Sequence, residues 1–302
     1  MASGIISTVI IGATKEEGGS RSAVIKIGGQ QALPFLFADG AIPNRPVIAF
    51  EIWDIAPIDW PEALAKNYSD VSGDTLAWAD KCVNKFKAEL ICLRLQGAHP
   101  DFGNISADEE AQLVGRLLKQ VNVPLIILGS GDDDKDNLVL PACSEAAKGE
   151  RALVGSAVTD NYKTLTAAVL ADGHNIIAES PIDINIAKQL NILISDMGLP
   201  LERIVINPTI GALGYGLEYA YSIIERARLA ALSGDKTVAS PFICFIGHES
   251  WRAKEAKMVD GVIWEAMTAT ALVQAGADIL VMRHPVAIEK VNKYIDNLMG
   301  KG

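Results

Sequence analysis

Eight short apolar runs, separated by longer stretches with helical periodicity, constrain the fold of this chain more than any other feature of its sequence. Within each run the aliphatic and β-branched residues are consecutive rather than alternating with polar ones, which is typical of strands covered on both faces. The runs begin roughly 20 to 45 residues apart, which leaves room for a helix between neighbours. They comprise residues 47–50, 90–95, 125–128, 152–155, 175–178, 204–206, 242–246 and 279–282.

The alternation of strand and helix over about 240 residues predicts an α/β fold, a single (β/α)8 TIM barrel. A capping box at Ser106 and Glu109 marks the start of one helix, and Gly198 ends another that begins near residue 183. A doubly wound open sheet is the alternative, and it differs in strand order. Because no G-x-G-x-x-G motif follows the first run, we favour the barrel, with residues 46–302 as one domain.

Residues 1–45 precede the first barrel run and follow a different pattern. Two apolar stretches, residues 5–11 and 23–27, flank a polar turn that contains glycine. This arrangement predicts an N-terminal β-hairpin extension. The hairpin either plugs one end of the barrel or adds an edge strand to a partner, and the sequence leaves both alternatives open.

Composition argues against several classes of partner. The formal net charge is -10, and no basic stripe is available to neutralise phosphates, so neither a nucleic acid nor an anionic membrane is expected. No apolar run approaches the length of about 18 residues that a membrane span needs, and the N-terminus lacks a signal-peptide pattern. The four cysteines are scattered without a C-x-x-C pair. We therefore expect a cytoplasmic, reduced protein without a metal cluster of its own.

The carboxyl ends of barrel strands form the functional face, and here they carry a mixed set of polar residues. None is a lysine, which a Schiff-base aldolase needs as its nucleophile, and no H-x-H follows the first strand, which disfavours a metal hydrolase. The polar residues at these ends are Glu51, Asp54, Arg94, Gln96, Ser130, Asp132, Ser156, Thr159, Glu179, Ser180, Asn207, Thr209, His248, Glu249, Arg283 and His284.

Two features at the strand ends allow two interpretations each. The pairs Glu51/Asp54 and Glu179/Glu249 either act as acid and base or form a hydrogen-bond network at the rim. Arg283 follows the eighth strand, where it either holds an anion or a partner's carboxylate, or forms an ion pair across the rim.

Four motifs spread along the chain resemble those of one family. The longest is residues 207–219, which begins Asn207-Pro208-Thr209 and continues through three glycines to Tyr219; the others are residues 50–54, 93–97 and 247–255. On these motifs the chain resembles the small subunit of the corrinoid iron–sulfur protein, a family that includes the delta subunit of the archaeal acetyl-CoA decarbonylase/synthase complex.

The resemblance implies a barrel that forms a heterodimer with a larger subunit. That partner carries a [4Fe–4S] cluster and the main corrinoid-binding domain, so that cobalamin lies at the interface of the two subunits. The pair receives a methyl group from methyltetrahydrofolate through a methyltransferase. It then delivers the methyl group to acetyl-CoA synthase in the anaerobic acetyl-CoA (Wood–Ljungdahl) pathway.

A corrin ring is broad and fringed with neutral amides, so a barrel that covers it needs neutral donors and acceptors at its mouth. We predict no catalytic residue and no metal ligand in this chain. Asp172-x-His174 lacks the glycine of the D-x-H-x-x-G motif by which some corrinoid proteins bind cobalt, and it falls at the amino end of a strand. The predicted cofactor-binding residues are Asp54, Gln96, Ser130, Asn207, Thr209, Gly211 and Arg283.

The sequence allows two other functions beside the corrinoid cap. The barrel also resembles pterin-binding methyltransferases, and such an enzyme would act on methyltetrahydrofolate by itself. Those enzymes place an aspartate where this chain has Asn207, and an amide lacks the two-acceptor face of a carboxylate. The third possibility is a structural scaffold whose barrel mouth is filled and unused.

Overall fold

The computed structural model describes residues 4–300, except for the side chains of residues 258 and 259. Within that range it contains ten strands, which agree with the predicted runs to within a few residues. In chain order they are β1 (Val9–Ile11), β2 (Ile25–Ile27), β3 (Val47–Trp53), β4 (Ile91–Arg94), β5 (Leu125–Leu128), β6 (Leu153–Ala157), β7 (Asn175–Glu179), β8 (Ile204–Asn207), β9 (Ile243–Cys244) and β10 (Ile279–Met282).

Helices follow the parallel strands and surround them. They are α1 (Glu62–Ala65), α2 (Thr75–Asn84), α3 (Ala107–Gln120), α4 (Asp133–Ala146), α5 (Tyr162–Asp172), α6 (Ile184–Asp196), α7 (Leu217–Leu232), α8 (Ile246–Ser250), α9 (Gly261–Ala275) and α10 (Pro285–Leu298). No helix in residues 4–300 is long and apolar enough to cross a membrane.

Eight parallel strands form a closed barrel. Their hydrogen-bonded order is β8-β7-β6-β5-β4-β3-β10-β9. A parallel bridge between Ile206 and Phe242 joins β8 to the start of β9, and the Ile206 amide donates to the Pro241 carbonyl at 2.8 Å. The ring therefore has no free edge, and the prediction of a (β/α)8 barrel rather than an open doubly wound sheet is confirmed.

The predicted run 242–246 was too long, because only Ile243–Cys244 forms strand and α8 begins at Ile246. An apolar run that is buried throughout has the same appearance in a strand and in the first turn of a buried helix. Strand β9 ends early and α8 begins because Gly247 packs closely against Arg283, which follows β10. A Cβ at Gly247 would lie 2.6 Å from Cγ of Arg283.

The N-terminal hairpin, β1 paired antiparallel with β2, closes the amino end of the barrel. Its inward side chains belong to the same buried cluster as residues inside the barrel, such as Ala49, Cys92 and Ile126. Asn175, at the start of β7, donates from its side-chain amide to the carbonyl of Ile10 at 2.8 Å. The hairpin is thus a plug, and the carboxyl ends of the strands form the open end. Its four inward residues are Val9, Ile11, Ile25 and Ile27.

Candidate functional site

A cavity of about 250 Å³ opens at the carboxyl end of the barrel. The residues around it come from the ends of strands β4 to β8 and from the loops and helices that follow them and β9. They are Arg94, Leu128, Gly129, Gly131, Asp133, Asp136, Ser156, Val158, Glu179, Asn207, Thr209, Ile210, Phe245, His248 and Glu249.

Beneath this opening, Glu51 of β3 is fully buried and ion-paired with two arginines. Its Oε1 accepts from Nε of Arg94 at 2.9 Å, and its two oxygens accept from Nη2 and Nε of Arg283 at 2.8 and 3.0 Å. The Trp53 indole donates to Oε1 at 2.8 Å. Burial alone would raise the pKa of Glu51, but Arg283 and Arg94 outweigh it and hold the pKa well below its usual range. Glu51 is therefore ionised, and both of its carboxylate oxygens accept hydrogen bonds.

Arg283 is locked into this network. Its guanidinium lies over the rings of Trp53 and Trp60, with 5.3 and 5.0 Å from its carbon to the ring centroids. Its backbone amide donates to Oε1 of Glu265 at 2.6 Å. Arg283 is 3% exposed and does not line the cavity. Of the two interpretations offered for Arg283, the structure shows the ion pair across the rim.

Arg94 is the cation that lines the cavity. Its Nε is bonded to Glu51, but its two terminal nitrogens donate to no other residue of the described chain. The neighbouring His248 carries no competing charge, because burial together with Arg94 and Arg283 lowers its pKa well below the ordinary value. Arg94 thus presents unused donors to the cavity from a position held by Glu51.

Asn207 and Thr209 are the two predicted cofactor-binding residues that line the cavity. The Asn207 amide donates to Oε2 of Glu179 at 2.9 Å, and its oxygen accepts from the Thr209 amide at 3.1 Å. The Thr209 hydroxyl accepts from the Ile182 amide at 3.1 Å and lies 2.7 Å from the Pro208 carbonyl. Thr209 and Ile182 have φ of 49° and 47°, a costly conformation for β-branched residues that this loop-to-loop contact maintains.

Ser130 and Asp54 point into neighbouring structure instead of the cavity. The Ser130 hydroxyl and amide both donate to Oδ1 of Asp136, each at 2.8 Å, so they brace the start of α4. Asp54 accepts from the Gly97 amide at 2.8 Å and lies beside Glu110 of α3. Burial and the neighbouring Asp54 raise the pKa of Glu110 to about 9. These residues organise the loops around the mouth.

Gln96 and Gly211 also lie outside the cavity lining. Gln96 is buried in a 3-10 turn, Gln96–Ala98, that starts directly after β4. Gly211 is required by close packing, because a Cβ there would lie 2.1 Å from the carbonyl oxygen of Tyr215. For all seven selected residues, contact with a cofactor stays a prediction.

The cavity is also lined by strand-end residues that are not among the seven predicted cofactor-binding residues. These are Arg94, Ser156, Glu179, His248 and Glu249. Ser156 has a buried hydroxyl without a hydrogen-bond partner among the described residues. The sequence signal that could have identified them is position alone, since each follows or ends a barrel strand.

Four exposed apolar side chains lie in loops at the carboxyl end of the barrel, and we call them the apolar rim: Ile58, Phe102, Ile182 and Tyr215. They lie in the loops after β3, β4, β7 and β8, so the barrel topology places all four on the carboxyl-end face. Exposed apolar side chains that share a face are typical of a surface covered by a partner or a large ligand.

Within residues 4–300, no group of three or more histidine, cysteine, aspartate or glutamate side chains is arranged to hold an ion. All four cysteines are buried and unpaired. Burial raises the pKa of Cys92 and Cys244 well above the ordinary value, which keeps these thiols protonated and unreactive.

Fold and site together define a (β/α)8 barrel plugged at its amino end, with a small polar cavity and an apolar rim at its carboxyl end. The family described as CO dehydrogenase/acetyl-CoA synthase delta subunit matches residues 8–294. The chain belongs to this family.

Relatives named as delta subunits agree with that assignment, and solved structures of other proteins share the fold. The acetyl-CoA decarbonylase/synthase complex subunit delta of Archaeoglobus fulgidus is 36% identical over 99% of this chain and 69% of its own length. The acetyl-CoA decarbonylase/synthase complex subunit delta 1 of Methanosarcina thermophila is 36% identical over 98% of this chain and 71% of its own length. Dihydropteroate synthase of Xanthomonas albilineans is similar in fold, with a TM-score of 0.58 at 15% identity, covering 88% of this chain and 98% of that one. The 7,8-dihydropteroate synthase of Vibrio fischeri has a TM-score of 0.61 at 11% sequence identity, and the match covers 87% of this chain and 96% of that one. At these identities the structural likeness establishes the barrel and nothing more.

Proposed function

We propose that this chain is the small subunit of a corrinoid iron–sulfur methyl carrier. In this role its barrel mouth caps a cobalamin held mainly by a larger subunit, which also carries the [4Fe–4S] cluster. The heterodimer receives a methyl group from methyltetrahydrofolate and its methyltransferase and transfers it to acetyl-CoA synthase. The observation that carries the proposal is membership of the delta-subunit family in a barrel whose open end combines a polar cavity with an apolar rim.

The residues at the mouth fit an amide-fringed ring. The Ser156 hydroxyl is buried without a partner, and Arg94 has unused donors, so both have hydrogen bonds to offer a neutral polar group. The apolar rim suits the flat face of a macrocycle. Cobalamin, when bound, supplies the methyl-transfer chemistry. The contribution of this chain is to bind the ring's edge, orient it and exclude water.

In this role, the two segments of the chain serve opposite ends of the barrel. We propose residues 1–45 as an extension that closes the far end and residues 46–302 as the barrel that carries the interface. The hairpin plug leaves the carboxyl-end face as the side that a partner and its cofactor approach.

Reconstitution with the larger subunit tests the proposal. We expect the pair to retain cobalamin in near-stoichiometric amount, measured by its visible spectrum and a cobalt assay, and the isolated chain to retain none. Phe102→Asp on the rim should weaken pairing and cobalamin retention at least tenfold, because it places a charge in an apolar interface.

A matched control uses Leu138, which is 66% exposed on α4 and does not line the cavity. Leu138→Asp should leave pairing unchanged. Stoichiometric retention of cobalamin by the isolated chain, or equal effects of the two substitutions, would contradict the capping role.

A pterin-dependent methyltransferase is the second candidate, and one observation favours it. Asn207 and Glu179 lie side by side in the cavity at 2.9 Å and together offer a donor and acceptors to a pterin-type ring. Calorimetry of the isolated chain with methyltetrahydrofolate separates the candidates. Micromolar binding would favour the enzyme, and no detectable binding would favour the cap.

A further inference from the structure

The cavity at the barrel mouth has a cationic part and an anionic part. Arg94 supplies the cation, with about nine-tenths of the residue buried, its Nε tied to Glu51 and its terminal nitrogens without an acceptor in the described chain. A guanidinium in this position is a fixed pair of donors. Its positive charge is partly balanced by Glu51 beneath it, and its free N–H groups can donate to a carbonyl oxygen.

The anionic part is formed by Glu179 and Asp133. Oε2 of Glu179 accepts from Asn207, while Oε1 accepts from no residue within 4–300. Burial raises the pKa of Asp133, and Asp136, Asp160 and Glu179 raise it further. This part of the cavity therefore repels anions and offers free acceptors for N–H groups.

We propose that this cavity is a subsite for one primary carboxamide. The amide oxygen accepts from the terminal nitrogens of Arg94, and the amide nitrogen donates to Oε1 of Glu179 and to the orphaned hydroxyl of Ser156. A carboxylate would meet Glu179 and Asp133, and an ammonium would meet Arg94. Only a neutral group with an acceptor on one side and donors on the other satisfies both parts.

The size of the cavity selects a side chain over a ring. At about 250 Å³ it lies below the range of about 300–1,000 Å³ that is usual for drug-sized ligands, so a macrocycle stays outside it. Resting on the proposed function, we assign the carboxamide to one amide side chain at the edge of the corrin, inserted below the rim.

Propionamide is the probe, titrated into the full chain while the side-chain Nε–H signals of arginine are followed by NMR. We expect a saturable shift of the Arg94 signal, identified as the signal lost in Arg94→Lys. Propionate and N,N-dimethylpropionamide should bind at least tenfold more weakly, since the first adds a negative charge and the second has no N–H. Equal binding of propionate, or no shift with propionamide, would overturn the proposal.

A loss of preference gives a second test that does not depend on removing Arg94. Glu179→Gln keeps an acceptor for Asn207 but replaces a carboxylate by an amide that can donate. We expect this variant to lose most of the tenfold preference for propionamide over propionate, because only Asp133 of the anionic part remains, with circular dichroism confirming that it is folded. Glu225→Gln, an exposed position on α7, should keep the original preference. An unchanged preference in Glu179→Gln counts against the subsite.

Other outcomes separate this inference from the proposed function. Propionamide binding together with a heterodimer that holds no corrinoid at this face would support the carboxamide subsite and reject the cap. Cobalamin retention unaffected by Glu179→Gln, with no propionamide binding, would reject the subsite and retain the cap. Binding of 6-methylpterin more than tenfold tighter than propionamide, with the same Arg94 shift, would reassign the amide to a pterin and overturn the corrinoid assignment.

Discussion

Individual residues at the barrel mouth are organised around Glu51, which holds two arginines of different roles. Arg283 gives both Nε and Nη2 to Glu51 and lies over two tryptophan rings, whereas Arg94 gives only one nitrogen to Glu51. Glu51 therefore holds the Arg283 guanidinium in the interior and orients the Arg94 guanidinium beside the cavity. A buried ion network of this kind contributes positioning more surely than net stability, because its charges are desolvated.

Replacing Glu51 by glutamine should destabilise the protein strongly. An amide cannot neutralise Arg94 and Arg283, so the change leaves buried charge uncompensated and costs about 3–5 kcal/mol in free energy of unfolding. Urea unfolding followed by circular dichroism measures it. Glu289→Gln is the control, since Glu289 pairs with Lys293 on the exposed surface of α10 and its loss should change little. A Glu51→Gln variant as stable as the control would show that the network is not held as described.

His284 links the stability of the last helix to pH. Its Nδ1 accepts from the Val286 amide at 3.2 Å and caps α10, which requires an unprotonated nitrogen. Burial lowers the pKa of His284 to about 4, with a further contribution from Lys66, whereas histidine in the unfolded chain titrates near about 6.5. Between these values the unfolded state binds more protons, so stability is fully present above about pH 6.5 and declines as pH falls toward 4.

Substituting His284 by asparagine should flatten this pH dependence. Asparagine can cap a helix but does not titrate, so the slope contributed by His284, at most about 1.4 kcal/mol per pH unit, should disappear. The measurement is the free energy of unfolding at several pH values between 4 and 7, with His99→Asn in the loop after β4 as the control that keeps the slope. A slope unaltered by His284→Asn would mean that another group carries it.

At the scale of elements, local signals were reliable where the chemistry is local. The capping box at Ser106 forms as predicted, with the Glu109 amide donating to the Ser106 hydroxyl and the Glu109 carboxylate accepting from the Ser106 amide. Asp183 caps α6 through its carboxylate, which accepts from the Asn185 and Ile186 amides. The second part of run 242–246 was misassigned because the competing signal, close packing of Gly247 on Arg283, comes from a distant part of the chain.

Weakening the hairpin plug should lower the stability of the whole barrel. Ile27 is fully buried in the cluster that fills the amino end, so Ile27→Ala should cost about 2–5 kcal/mol through lost burial and the cavity it leaves. Lys26→Ala, on the exposed side of the same strand, should cost far less. Thermal or urea unfolding compares the two, and equal stabilities would show that the hairpin is not part of the core.

At the scale of the whole molecule, the two ends of the barrel have opposite characters. The amino end is closed by the hairpin, and the carboxyl end carries the cavity and the exposed apolar rim. The proposed partner and cofactor should therefore dock on one face.

Hydrogen exchange, measured before and after pairing with the larger subunit, tests which end of the barrel the partner contacts. We expect new protection in the loops after β3, β4, β7 and β8, which are residues 54–61, 95–106, 180–183 and 208–216. The hairpin residues 9–27 should exchange at unchanged rates. Protection that appears at the hairpin and not in these loops would place the partner at the wrong end for the proposed function.

The sequence by itself determined the barrel, the hairpin and the family, because consecutive apolar runs, capping residues and motif spacing are properties of short segments. It did not determine which polar residues face the cavity. Of the seven selected, Asn207 and Thr209 line it, while Arg283 turns to Glu51, a residue 232 positions away. A side chain at a strand end is directed by the charges and turns of neighbouring strands, and only the tertiary structure brings those together.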